Sequence, residues 1–322
     1  MTLLNDLQDL ETSAADRADG VVPAFEIVGP AGAPVVAVLG GISATRHVSA
    51  SDRDPSPGWW DAIVGPGRAI NTNAFCVLGV DFLDGGRRDD GQPARTVTTA
   101  DQADAVARVL DALGIERLHA FVGASYGGMV ALAFAERYPD RLDRVIVVGA
   151  PHEAHPMSTA LRSIQRRIVR LGLATDRVHH ALAIARGLAV TTYRSSAEFA
   201  ERFDTAPEQV TENDAFFPVE GYLEHHGERF AARWTPERFL ALSLSGDLHH
   251  VNPRAIRTPA VVVAAEGDTI VPREQLEYLV AHLAGPARLV DLSSTRGHDA
   301  FLTEPRELGR ILDTALSLPV LS

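Results

Sequence analysis

The stretch from Leu118 to Tyr138, LHAFVGASYGGMVALAFAERY, limits the folds open to this chain more than any other. An apolar run of strand length, Ala120-Phe121-Val122, meets Gly123-Ala124-Ser125-Tyr126-Gly127-Gly128. Apolar residues then recur with helical spacing from Met129 to Phe134 and stop before Pro139. The pattern predicts strand, tight turn, helix. Glycines flanking Ser125 carry no Cβ, so the backbone can turn sharply and hold the serine in an unfavourable conformation with its hydroxyl exposed. The helix that follows aims unpaired N–H groups and its dipole at that hydroxyl, where an acyl-transfer intermediate would gather negative charge. In this setting G-x-S-x-G reads as a nucleophile elbow.

The surrounding elements alternate as such an elbow requires. Val21 to Val28, Pro34 to Leu39 and Phe75 to Val80 read as strands, Thr99 to Leu113 as an amphipathic helix, and Val145 to Val148 as a strand after the elbow helix. Polar residues up to Gly20 suggest a loose beginning. Pro57 to Asp61 and Gly65 to Gly67 frame what reads as a short helix. From Pro151 to about Ala241 the alternation gives way to helical segments at 157–171, 177–188, 197–203 and 222–230. Strands return at Ala260 to Ala265 and Ala287 to Leu292, with helices at 273–283 and 299–316. The expectation is an α/β fold with a mostly parallel central sheet. Its core spans residues 1–150 and 242–322, and residues 151–241 form a helical lid inserted over the strand ends, where open α/β sheets bind ligands.

Candidate partners for Ser125 stand at the ends of the later strands. Asp268 follows the strand ending at Ala265, His298 follows the one ending at Leu292, and the order Ser, Asp, His suits an elbow enzyme. His298 would accept the serine proton and Asp268 would orient the imidazole, although Glu266 and Asp299 are carboxylates close by in sequence. The N–H of Tyr126 and one from the Gly41 to Ser43 turn, with Ile42 at its centre, are candidates for an oxyanion hole. Arg46, beside that turn, is a weaker candidate for meeting a carboxylate on the acyl group. Arg162, Arg166 and Arg170 fall on one stripe of a helix, where anions entering a cleft could meet them.

Composition narrows the partners. A net charge of −12 gives nonspecific nucleic-acid binding no electrostatic basis. The single cysteine, Cys76, excludes an internal disulfide and reads as a buried strand residue. Three adjacent histidine pairs, 179–180, 225–226 and 249–250, lack the spacing of a metal site, so no metal is expected. The acidic N-terminal stretch does not resemble a signal peptide, no run is long enough to span a membrane, and a cytoplasmic location is expected.

Several local motifs together resemble the homoserine O-acyltransferases of the α/β-hydrolase fold. They are Gly58-Trp59-Trp60-Asp61 with Val64-Gly65-Pro66-Gly67, the elbow itself, Gln165-Arg166, Val219-Glu220-Gly221-Tyr222-Leu223 and Gly297-His298-Asp299-Ala300-Phe301-Leu302. The resemblance implies acyl transfer from acetyl-CoA or succinyl-CoA, a co-substrate and not a bound cofactor, to the side-chain hydroxyl of homoserine on the route to methionine. It implies Ser125, Asp268 and His298 as the triad, Arg166 as the holder of the amino acid's carboxylate, and Tyr222 and Asp299 as pocket residues, with Asp299 facing the ammonium group. It also implies a homodimer through the lid. Tyr126 and Ile42-Ser43-Ala44 depart from the family's usual residues at those positions and leave the donor open. L-serine as acceptor, or ester hydrolysis by the same triad, are the alternatives.

Overall fold

The computed structural model describes residues 22–317; the loose beginning read up to Gly20 lies outside them. Seven strands form the central sheet: β1 (Phe25–Val28), β2 (Val35–Leu39), β3 (Cys76–Val80), β4 (Ala120–Ala124), β5 (Val145–Val148), β6 (Ala260–Ala265) and β7 (Ala287–Leu292). Their order is β1-β3-β2-β4-β5-β6-β7, with β1 antiparallel to β3 and every other pair parallel. The chain runs outward from β2 to β3 and then crosses inward to β4. Loops after β2 and β4 therefore diverge, and a crevice opens at the carboxyl ends of these strands.

Side-chain alternation divides the core between the two faces of the sheet. Ala37, Leu39 and Phe121 point to one face, where they meet helices α1 (Thr99–Ala112) and α2 (Tyr126–Arg137). Val36, Val38, Ala120 and Val122 point to the other, against Trp60, Ile63 and the carboxyl-terminal helix. Strands buried on both faces read as continuous apolar runs, which is why β4, β5 and β6 stand out in the sequence.

Beyond β5 the helices are α3 (Pro156–Ala174), α4 (Val178–Tyr193), α5 (Ser196–Arg202), α6 (Pro218–Ala231) and α7 (Pro236–Asp247). After β6 come α8 (Arg273–His282), α9 (Ala300–Thr303) and α10 (Pro305–Ser317). Helices α3, α4, α6 and α7 share a cluster of their own, with Val169, Leu182, Phe230, Phe239 and Leu240 buried in it. A boundary between residues 241 and 242 falls inside α7, because Leu240 joins that cluster while Leu242 packs into the sheet's core.

Two local expectations give way. No helix forms between Pro57 and Gly67: Trp60 donates its amide to Val48 O at 2.9 Å, and the Asp61 carboxylate accepts from Ala50 and Gly58 amides, so these groups serve a neighbouring loop. A Cβ on Gly58 would lie 2.3 Å from Ser49 Cα, which keeps that loop tight. The helix read as 299–316 is instead a 3-10 turn at Gly297–Asp299 followed by α9 and α10. Pro305 causes the break, since proline disfavours a helical residue before it and suits the first turn of a new helix.

Candidate active site

Ser125 sits between β4 and α2 with φ 53° and ψ −120°, a conformation that costs a non-glycine residue on the order of 1–3 kcal/mol. The neighbouring glycines make it attainable. A Cβ on Gly123 would stand 2.3 Å from Gly127 O, and one on Gly127 would stand 2.2 Å from Leu39 O. The strained turn aims the hydroxyl at an imidazole: Ser125 Oγ lies 2.7 Å from His298 Nε2. On the other side of the ring, His298 Nδ1 lies 2.7 Å from Asp268 Oδ2. The Asp268 carboxylate is held in turn by the amides of Ile270 and Val271, which donate to Oδ1 at 2.9 and 3.0 Å. Gly149, just after β5, lies alongside the pair with a φ of 58°, which glycine adopts without strain.

Electrostatics suit a base. Burial pulls the His298 pKa down, but the charge and hydrogen bond of Asp268, with Asp299 further off, outweigh it and leave the pKa above its ordinary value. With Asp268 accepting from Nδ1–H, the neutral ring presents an unprotonated Nε2 to the serine hydroxyl. Among the described residues, neither the amide of Tyr126 nor that of Ile42 has a hydrogen-bond acceptor in the protein. Both are therefore available to an oxyanion beside Ser125. The Tyr126 side chain turns into the core instead, where its hydroxyl meets Ser245 Oγ at 2.7 Å and Gln102 Nε2 at 3.3 Å. Burial pushes that phenol up to about 12, so it stays protonated.

A cavity of about 550 Å³ opens above Ser125 and His298, walled by α3, α4, α6 and α7. Tyr222 and Asp299 line it. Asp299 Oδ2 is ion-paired with Arg194 Nε at 3.0 Å; burial raises its pKa, and Arg194 opposes the rise. The structure gives Arg166 a different task. Its Nη1 donates to Ser243 O and Oγ and pairs with Asp247 Oδ2 at 2.6 Å, joining α3 to α7 away from the cavity lining. Arg46 likewise pairs with Asp81 at 2.7 Å and lies outside the cavity.

Two other arginines reach the space that Arg166 does not. Arg186 of α4 lines it with no carboxylate partner among the described residues, its guanidinium lying 5.3 Å from the Tyr193 ring and 5.0 Å from that of Phe230. The sequence carries a signal for it, a single arginine inside the apolar run Ala181 to Val190. Arg162, one turn before Arg166, pairs through Nε with Asp247 Oδ1 at 2.5 Å, yet its Nη2 is buried with no acceptor among the described residues. His249, from one of the adjacent pairs, is buried between Thr99 Oγ1 at 2.8 Å and Pro151 O at 3.0 Å, and burial lowers its pKa to about 3. That histidine is a neutral strut. No group of three or more residues able to hold a metal occurs among the described residues.

Residues 34–305 match the alpha/beta hydrolase fold family. The chain is 46% identical to homoserine O-succinyltransferase of Xanthomonas campestris pv. campestris over 292 residues, covering 91% of this chain and 78% of that one. The chain belongs to the homoserine O-acyltransferase family of the α/β-hydrolase fold. It is also 32% identical to homoserine O-acetyltransferase of Symbiobacterium thermophilum, over 92% of this chain and 88% of that one. Among solved structures, homoserine O-acetyltransferase from Bacillus anthracis shares the fold with a TM-score of 0.84 at 18% identity, covering 92% of both chains. No helix among the described residues is long and apolar enough to cross a membrane.

Proposed function

We propose that the protein moves an acyl group, succinyl in preference to acetyl, from a coenzyme A thioester to the side-chain hydroxyl of L-homoserine. The observation that carries this reading is the charge arrangement around the nucleophile. On the α4 side of the cavity the guanidinium of Arg186 and the ion pair of Arg194 with Asp299, which an incoming zwitterion would enter by exchanging partners, offer both charges that an amino acid needs. Hydrolysis of a simple ester calls for neither. On the α3 side, the unpartnered Nη2 of Arg162 suits a carboxylate at the far end of the acyl chain. Acetyl would leave that buried donor unsatisfied, at a cost of about 1–3 kcal/mol. The 46% identity to a succinyltransferase points the same way.

In this reading the chemistry takes two passes through one site. His298 Nε2 takes the proton from Ser125 as Oγ attacks the thioester carbonyl, and the amides of Tyr126 and Ile42 hold the oxyanion. Collapse expels the thiolate, which leaves as CoA thiol with the proton from His298, and the acyl group remains on Ser125. The amino acid's hydroxyl then gives its proton to His298 and attacks the ester. Collapse of the second intermediate returns that proton to Ser125 and releases the O-acyl product. Helices α3, α4, α6 and α7 act as the lid that keeps water from competing for the acyl-serine. The product suits methionine synthesis in the cytoplasm.

The test is CoA thiol release with acetyl-CoA or succinyl-CoA, each with L-homoserine or L-serine. Release that depends on homoserine and is faster with succinyl-CoA is the expected result. Release that ignores the amino acid would mean a hydrolase.

The unit would be a homodimer. Ile164 and Leu171 stand seven residues apart on the outer face of α3 and are 45% and 66% exposed. An apolar stripe at that spacing is suited to a second copy of the same helix.

A further inference from the structure

Next to the ion pair of Arg194 with Asp299 stands a carboxylate that the two passes do not use. Glu198 of α5 is 2% exposed and lies outside the cavity lining. Its Oε1 is 3.1 Å from Arg194 Nη1 and 3.1 Å from Arg296 Nη1, with Arg202 Nη1 further off at 3.9 Å. The start of α5 is fixed as well. Ser195, the N-cap, accepts from the Glu198 amide at 3.1 Å and donates its hydroxyl to Thr295 O, in the loop before His298. Arg194, which lines the cavity, thus has two corners of its fork taken, Nη1 by Glu198 and Nε by Asp299 at 3.0 Å. Its Nη2 has no acceptor among the described residues.

We propose that Glu198 is a positioning residue for the acceptor, which anchors Arg194 while that guanidinium exchanges Asp299 for the amino acid's carboxylate. The inference rests on the acceptor reading given above. When the zwitterion enters, Asp299 turns to the ammonium group and Arg194 has to stay in place for the carboxylate. A guanidinium held at one corner by a buried carboxylate keeps its plane through that exchange. Glu198 also shares the charge of Arg194, so Asp299 is not its sole counter-ion. With the Glu198 charge removed, Asp299 becomes the sole one, the pair tightens, and the zwitterion must break a stronger contact to enter. That cost falls on the acceptor and not on the donor, because acylation of Ser125 proceeds with the pair closed. Arg296 offers Glu198 a different task, a tie to the loop that carries His298, and such a tie would serve both passes alike.

The experiment follows the two half-reactions separately, acylation of Ser125 by succinyl-CoA and discharge of the acyl-serine by L-homoserine, in Glu198→Gln, which keeps the shape and loses the charge. The KM for homoserine should rise roughly tenfold, the size of one lost charge-assisted hydrogen bond, while kcat at saturating homoserine and the acylation rate stay within about twofold of wild type. Glu198→Asp keeps the charge but draws it back from Arg194 and should show a smaller rise in the same KM. Arg296→Gln, which removes the tie to the His298 loop, should leave that KM unchanged. An unchanged homoserine KM in Glu198→Gln or, should that variant not fold, in Glu198→Asp would overturn the positioning role. Equal loss in both half-reactions would overturn it too, and the same loss in Arg296→Gln would assign Glu198 to the His298 loop. An acyl-serine of the wild-type protein that homoserine does not discharge would instead overturn the acceptor reading.

Discussion

Asp268 does two things for His298, and a single substitution separates them from the rest of the site. Its carboxylate raises the imidazole pKa against the pull of burial, and its hydrogen bond fixes which nitrogen faces Ser125. The base must be neutral, so activity should rise with pH through that raised pKa. In Asp268→Asn the charge is gone, the pKa falls, and the acid limb of the donor kcat/KM profile should move to lower pH. The maximum should drop by roughly a thousandfold or more; an acid limb that stays in place would show that Asp268 does not set the base. Arg186→Ala should weaken use of homoserine by roughly a hundredfold while leaving acylation of Ser125 by the donor in place, read from the two half-reactions separately. Equal loss in both would place Arg186 in the fold or on the CoA instead. The sequence announced Ser125, Asp268 and His298 because each follows an apolar strand and so comes to the same rim. It pointed to Arg166 and not Arg186 because which side of a helix faces a cavity depends on how that helix docks. Here Asp247 of α7 captures Arg166.

At the scale of elements, most strands and helices were legible to within a few residues, since their periodicity reflects burial that the sheet enforces. The segment after Pro57 was not, because the Trp59 and Trp60 amides go to the His47 and Val48 carbonyls and the Asp61 carboxylate to the Ala50 amide, and no local pattern encodes that choice. The packing of α4 on α6 shows a similar dependence on distant partners. A Cβ on Gly227 would lie 2.5 Å from Ala183 O, so the two helices meet backbone to backbone at that point. Gly227→Ala should force them apart and destabilise the protein by about 1–3 kcal/mol, visible as a thermal midpoint several degrees lower. It should also raise hydrolysis of acyl-CoA without acceptor, because α4 and α6 wall the cavity over Ser125. A midpoint and background hydrolysis equal to wild type would mean that this contact bears no strain.

For the whole molecule, the exposed apolar residues on α3 and the cavity beneath them belong to the same helix, so in the proposed dimer assembly and reaction would be linked. Ile164→Glu with Leu171→Glu should shift light scattering from dimer to monomer and loosen α3, with slower transfer to homoserine as the secondary sign. A wild-type protein that scatters as a monomer at working concentration would contradict the dimer. The central claim is that acyl groups travel through Ser125, and intact-mass spectrometry after mixing the protein with succinyl-CoA alone tests it most directly. The account predicts one succinyl group per chain, mapped to Ser125, absent in Ser125→Ala and discharged by L-homoserine. No adduct on rapid quenching, together with product formation when both substrates are present, would mean direct transfer between bound substrates and would remove Ser125 from the role of nucleophile.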